Sequence, residues 1–321
     1  MKTGKLGLQG PELSVIGFGA WEAGAGNEWG EAPPKETIVE AIRTVLDTGI
    51  GWIDTAEVYG DGVSEETIAL AVTGHRDEVL IASKVAPRPA GSGFRPEQVR
   101  AACLGSLKRL RTGHLDLYQL HWPDDSGDEV PVEETWSAMV SLVQEGLVRN
   151  IGVSNFDREL IERCEKLHHV DSLQQEFSML SLEDRELIRW CGECGTGVVA
   201  YGPLSYGLLA GAIAKDTTLA QDDHRGPGGE DGVWERLFCP GKIERSLAVV
   251  DGMRPVAERL GVTLAQLALA WNFHQGGVTS AIAGSRNPRH VRSNAEAGDI
   301  ELDEATLAEL ESLLPLGPAF A

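Results

Sequence analysis

An acid and a phenol stand five positions apart in the segment WIDTAEVYG (52–60): Asp54 closes a β-branched and aromatic run, and Tyr59 lies in the turn residues beyond it. A free phenol has a pKa near ~10 and donates a proton poorly unless something stabilises the phenolate. A lysine ammonium does so, and a carboxylate beside that lysine holds it in place and charged. Lys84 closes the apolar run of IASKV, and His121 stands at the end of LYQLHW. Together the four residues make a coherent set. Asp54 anchors Lys84, Lys84 tunes Tyr59, and His121 orients a substrate oxygen or relays its proton, which suits protonation of the alkoxide formed when a carbonyl is reduced. Taken singly, a strand-end aspartate also serves as a loop organiser or helix cap, and a lone histidine as an ordinary hydrogen-bonding group.

Four such residues act together only if the chain brings the ends of different strands to one place. Short β-rich runs alternate with amphipathic helical runs throughout the sequence. Strands are expected over 14–21, 51–56, 78–85, 114–122, 148–155, 172–178, 197–204 and 278–285, nearly continuous in apolar residues as for strands buried on both faces. Helices fall between them with start and stop signals. PPKETIVEAIRTVLDTG has prolines where it begins and Gly49 where it ends, and SEETIALAVTG opens on Ser64, a candidate N-cap. Eight strand–helix units predict an α/β fold, a single (β/α)₈ TIM barrel domain over 1–321, with a Gly-punctuated N-terminal hairpin closing its bottom and an extra C-terminal helix at DEATLAELESLL. A doubly wound open sheet is the alternative, but the Gly-x-Gly-x-x-Gly turn it needs after the first strand is missing.

In such a barrel the site is built at the C-terminal ends of the strands. Besides the first four residues, those ends carry Ser154 and Asn155, Gln174 and Gln175, Tyr201, and the run Gly284, Ser285 and Arg286. An acidic balance of 49 Asp and Glu against 28 Lys and Arg argues against nucleic acid or an anionic membrane as a partner. The N-terminus has no signal-peptide pattern and no run is long enough to span a membrane, so a cytoplasmic protein is expected. Five cysteines without an export signal do not form a disulfide framework, and CGEC (191–194), although spaced like a redox motif, lacks a thioredoxin-like context. A metal-dependent hydrolase is set aside, because only Asp54 and His121 stand at strand ends as candidate ligands.

The segments GWIDTAEVYG, IASKV, LYQLHWP and RNIGVSNF, in this order and spacing, resemble the aldo-keto reductase superfamily, and the likeness runs from LSVIGFGAW to IAGSRNPRHVRSN. The resemblance implies a (β/α)₈ barrel that transfers hydride between a nicotinamide cofactor and a carbonyl, with a catalytic tetrad of Asp54, Tyr59, Lys84 and His121. It implies that Ser154, Asn155 and Gln175 hold the nicotinamide carboxamide, that Tyr201 stacks on the ring, and that Gly202, Leu204, Gly207 and Leu208 follow the pyrophosphate. Gly19, Trp21 and Asp54 join the cofactor site from the first two strands. At the adenosine end Gly284, Ser285, Arg286, His290 and Asn294 are implied, and a cluster of Arg286, Arg289 and Arg292 suits the extra phosphate of NADPH. His290 stands where many members of the family place an arginine for that phosphate, so Arg286 is the substitute candidate and NADH stays open.

A small-molecule carbonyl is the expected partner, at a mouth lined by Trp21, Tyr59, His121 and Trp122, with Trp29 and Trp234 or Phe238 of the long 205–238 segment as further walls. The short tail after the last helix suggests an open site. Two alternatives share the fold: a sugar or alcohol dehydrogenase working towards oxidation, and a cofactor-sensing regulatory subunit of a channel.

Overall fold

A computed structural model of the chain describes residues 1–24, 26, 29–87, 94–124, 130–219, 223–229 and 232–314. Two short strands, β1 (Thr3–Lys5) and β2 (Glu12–Ser14), pair antiparallel as a hairpin. Eight parallel strands follow: β3 (Ile16–Gly19), β4 (Trp52–Asp54), β5 (Leu80–Val85), β6 (Leu115–Leu120), β7 (Val148–Ser154), β8 (Ser172–Glu176), β9 (Gly197–Tyr201) and β10 (Val278–Ile282). They close in chain order, β10 pairing with both β3 and β9. Each observed strand lies inside the span expected from its apolar run. The expected C-terminal helix is found at Glu304–Glu311, and the tail beyond Leu314 falls outside the described residues.

Alternation along each strand sorts the side chains between lumen and helix layer. Ile53, Ile81, Tyr118 and Leu173 point outward into the main core, where the helices pack. Trp52, Ala82, Leu117, Val199 and Ile282 meet inside the barrel with Leu6 and Leu13 of the hairpin. The Trp52 indole crosses the lumen under Gly17, where an added Cβ would lie 2.2 Å from its ring, and donates to Ser280 Oγ at 3.0 Å. The lower lumen is thus filled and plugged by the hairpin, as expected. The same alternation carries Gly19, Asp54, Lys84, His121, Ser154, Gln174 and Tyr201 to the upper rim on the inner side.

One helix begins differently from expectation. Ser64 is not an N-cap: the helix runs Val63–Ala71 behind Gly62, which takes a left-handed φ of 90°. The Ser64 hydroxyl is buried, donates to Ala20 O at 2.7 Å and lies 2.8 Å from Thr55 Oγ1. It ties the turns after β3 and β4 together, a tertiary bond that local sequence does not announce.

Candidate active site

Asp54, Tyr59, Lys84 and His121 converge at the C-terminal rim. Lys84 is fully buried and donates to Asp54 Oδ2 at 2.7 Å and to Thr55 O at 2.9 Å, with the Tyr59 hydroxyl 3.2 Å from its Nζ. The other Asp54 oxygen accepts from Gln174 Nε2 at 2.8 Å, so both carboxylate oxygens are engaged. Burial pulls the Lys84 pKa down, and the neighbouring Asp54 charge and hydrogen bond oppose that fall. The result is an ammonium fixed in place and readier than a surface lysine to share its proton.

His121 meets the Tyr59 ring edge to face, 5.5 Å between centroids. Burial first, and the Lys84 charge second, hold its pKa well below the ordinary histidine value, so it is a neutral imidazole. Its Nδ1 is buried without a hydrogen-bond partner among the described residues. Buried polar atoms are usually paired, so this one is suited to a bound polar group.

Next to His121 the top of β7 turns sharply. Asn155 takes a left-handed φ of 59°, a conformation asparagine adopts more readily than most residues. Its Nδ2 donates to His121 O at 3.0 Å and to Ser154 Oγ at 3.1 Å, and its Oδ1 accepts from Tyr201 OH at 2.9 Å. Ser154, Asn155 and Tyr201 therefore form one bonded group beside the tetrad. Gln175 does not join it. On β8 it falls on the outer face, and its Nε2 donates to Asp184 Oδ2 at 2.7 Å. The inward residue is Gln174, and the two-residue period running through Ser172, Gln174 and Glu176 is the signal that distinguishes the neighbouring glutamines.

Beyond Tyr201 the chain is tightly wound. Gly202 (φ 66°) and Gly207 (φ 97°) flank Ser205 and Tyr206, both left-handed at 45° and 57°, a local cost of a kind that gathers at functional sites. Leu204 sits at the start of this turn and Leu208 is buried beneath it. The Ser205 hydroxyl lies 2.8 Å from Ser178 Oγ. Across the rim, Gly284 packs so closely on Gly19 that a Cβ would fall 2.3 Å from the Gly19 carbonyl oxygen. Ser285 Oγ accepts from Asn287 N at 3.1 Å and lies 3.3 Å from His290 Nδ1. Asn294 is buried, on the same helix (Pro288–Glu296) as the exposed His290, Arg289 and Arg292.

The structure corrects two further expectations. Arg286 is not presented to a phosphate: its guanidinium donates to Gly26 O at 2.9 Å and to the carbonyls of Trp29 and Gly30. Nor does Phe238 wall the mouth, because it is buried in the core, with Trp234 partly buried against that core. The 205–238 segment, of which 220–222, 230 and 231 lie outside the described residues, sends Tyr206 and His224 instead. Trp21 packs 6.1 Å from the Tyr59 ring, and its edge meets Trp29 at 5.1 Å and His224 at 4.7 Å. Trp29 also stacks on Tyr206 at 6.0 Å. Trp122 lies 4.4 Å from His121, centroid to centroid. Glu176, at the top of β8, binds Arg236 Nη1 at 3.0 Å and anchors the long segment.

A closed barrel with this rim matches the Aldo/keto reductase family over residues 15–315, and the chain belongs to that family. Aldo-keto reductase YhdN of Bacillus subtilis is 33% identical over 325 residues, covering 97% of this chain and 95% of that protein. The glycerol dehydrogenase AKR11B4 from Gluconobacter oxydans superposes with a TM-score of 0.85 at 29% identity, covering 98% of each chain. An aldo-keto reductase from Klebsiella pneumoniae, solved in complex with NADPH, gives 0.74 at 32% identity, covering 99% of this chain and 97% of that one. Among the described residues no helix is long and apolar enough to cross a membrane, and no three His, Cys, Asp or Glu gather as metal ligands. Cys191 is buried with its thiol pushed up to about 12 by that burial, which leaves CGEC without a reactive thiolate at that position.

Proposed function

We propose that the protein is a cytoplasmic single-domain oxidoreductase that reduces the carbonyl of a small aldehyde or ketone, with NADPH as hydride donor. The observation that carries this reading is the Asp54–Lys84–Tyr59 chain of contacts beside a neutral His121. The residues fit a nicotinamide coenzyme. A buried His121 nitrogen without a partner among the described residues, the hydroxyl and amide of Ser154 and Asn155, and the half-buried Tyr201 stand together, with the left-handed turn at 205–206 a few residues further on. Ser154, Asn155, Gln174 and Tyr201 would hold the nicotinamide, Gly202 to Leu208 the pyrophosphate, and Ser285, His290, Asn294 and Arg289 the adenosine end. When bound, the coenzyme supplies the hydride.

The chain's own part is protonic and electrostatic. Tyr59 donates its phenol proton to the oxygen that gains charge, and Lys84, 3.2 Å away, stabilises the phenolate left behind. Asp54 keeps Lys84 charged despite its burial. Neutral His121 offers hydrogen bonding to the same oxygen without competing as an acid. Trp21, Trp122, Trp29 and His224 form an aromatic wall that excludes water and suits apolar or aromatic substituents. The likeness to a glycerol dehydrogenase supports a second direction, oxidation of a polyol by the same residues in reverse. Initial rates with NADPH and with NADH over a panel of aldehydes and diketones, and with NADP over polyols, test the reading. Turnover in neither direction with either coenzyme would overturn it and favour a regulatory role.

A further inference from the structure

Behind Lys84, on the face of β5 turned away from the lumen, a second set of charges is buried. The Ser83 hydroxyl donates to Glu65 Oε1 at 2.6 Å, and the other Glu65 oxygen accepts from Arg109 Nε. Arg109 Nη2 lies 4.0 Å from Glu57 Oε2, and Glu57 Oε1 accepts from the Ala86 amide at 3.1 Å. The circuit begins at residue 83 and ends at residue 86 of the same stretch of chain, so it straddles Lys84. It also grips the loop that carries Tyr59. Glu57 is two residues before it, and Gly62, three after it, packs under Arg109 so closely that a Cβ would fall 2.4 Å from Arg109 Cδ. Its Glu65 is fully buried and Glu57 nearly so. The mechanism above uses none of them.

We propose that Glu57 is a positioning residue: in its ionised form it draws Arg109 and the Ala86 amide together, and so fixes the loop of Tyr59 against the strand of Lys84. The proposal rests on Tyr59 being the proton donor. The groups facing Glu57 are Glu65 on the helix Val63–Ala71, Arg109 on the helix Pro96–Leu110 with Cys103 further along it, Tyr118 on β6, and the Ala86 amide just past the end of β5. Burial pushes the Glu57 carboxyl up to about 7, with Glu65 adding to the rise and the Ala86 amide and Arg109 opposing it. Cys103, pushed up to about 12, stays a thiol at these pH values, and burial keeps Tyr118 protonated.

The sign follows. Below pH 7 Glu57 is neutral, its pull on Arg109 is lost and the Tyr59 loop is less firmly held; above it the circuit is complete. Carbonyl reduction should therefore rise on the order of ten-fold as pH passes upward through 7, with the change in kcat rather than in coenzyme KM. In Glu57→Gln the step should vanish and kcat stay at the low-pH level, and Glu57→Asp should restore part of it. A readout independent of turnover is the ¹³Cζ resonance of Tyr59, assigned by its loss in Tyr59→Phe. It should shift with a midpoint near 7 in the wild type and not in Glu57→Gln. A wild-type Tyr59 resonance without that midpoint, or one that keeps it in Glu57→Gln, overturns the proposal. Absence of turnover together with a normal Tyr59 titration would instead count against carbonyl reduction and leave the positioning role standing.

Discussion

Asp54 serves two partners with two oxygens, Lys84 through one and Gln174 through the other. Truncating one member of a buried ion pair leaves the other charge uncompensated, at a cost of about 3–5 kcal/mol. Asp54→Asn should therefore lower stability by about 3 kcal/mol in chemical denaturation and cut kcat, while Asp54→Ser should be no milder. A variant that unfolds at the same denaturant midpoint as the wild type would show that Lys84 is not charged in the folded protein. Asp54, Lys84 and His121 were legible because each stands where an apolar run ends on a different strand, and Tyr59 because it lies in the turn after the first of them. Gln175 was assigned to the carboxamide in place of Gln174, because a doublet of identical residues carries no parity until the strand's inner face is fixed by Ser172 and Leu173. Glu57 was hidden for another reason: its partners Ala86 and Arg109 are distant in sequence, and nothing local marks its carboxyl as buried.

The loops at the rim are where elements meet that the sequence leaves apart. Strands and most helices follow from continuous apolar runs and Pro or Gly punctuation; the expected helix after Pro34 does stop at Gly49 (φ 76°), but it breaks at Thr44 into Lys35–Arg43 and Val45–Thr48. Contacts between loops have no period to read. Arg286 looked like a phosphate ligand because it sits in a cluster of bases, yet it fastens the loop after β3 through three carbonyls. His224, within a polar and Gly-rich stretch, reaches Trp21. If Arg286 acts as a loop fastener, Arg286→Ala should weaken NADPH and NADH binding by similar factors, since the loop beside both is loosened. Arg289→Ala, which removes an exposed guanidinium near His290, should instead weaken NADPH selectively, by about 1–3 kcal/mol. Fluorescence titration of both coenzymes against both variants separates the two outcomes. A selective loss of NADPH in Arg286→Ala would return that arginine to the phosphate.

Over the whole molecule the barrel divides its labour between its two ends. The lower lumen is packed by Trp52 over Leu6 and Leu13 of the hairpin, and the upper rim holds Asp54, Tyr59, Lys84 and His121. Barrel bottoms serve stability and tops serve chemistry. Leu6→Ala should therefore cost about 2–5 kcal/mol of stability while leaving kcat within two-fold at a temperature where the variant is folded. A large loss of kcat in a folded Leu6→Ala protein would mean that the two ends are coupled. The acidic balance, 49 Asp and Glu against 28 Lys and Arg, sits over this frame as a general surface property.

The most direct measurement follows NADPH oxidation by a reactive aldehyde in the wild type and in Tyr59→Phe, with coenzyme affinity measured on both by fluorescence. Tyr59 as proton donor predicts that kcat falls by about 10²–10⁴-fold in the variant while the Kd for NADPH stays within a factor of about two. Turnover that survives in Tyr59→Phe would contradict the proposal that the Asp54–Lys84–Tyr59 chain carries the reaction.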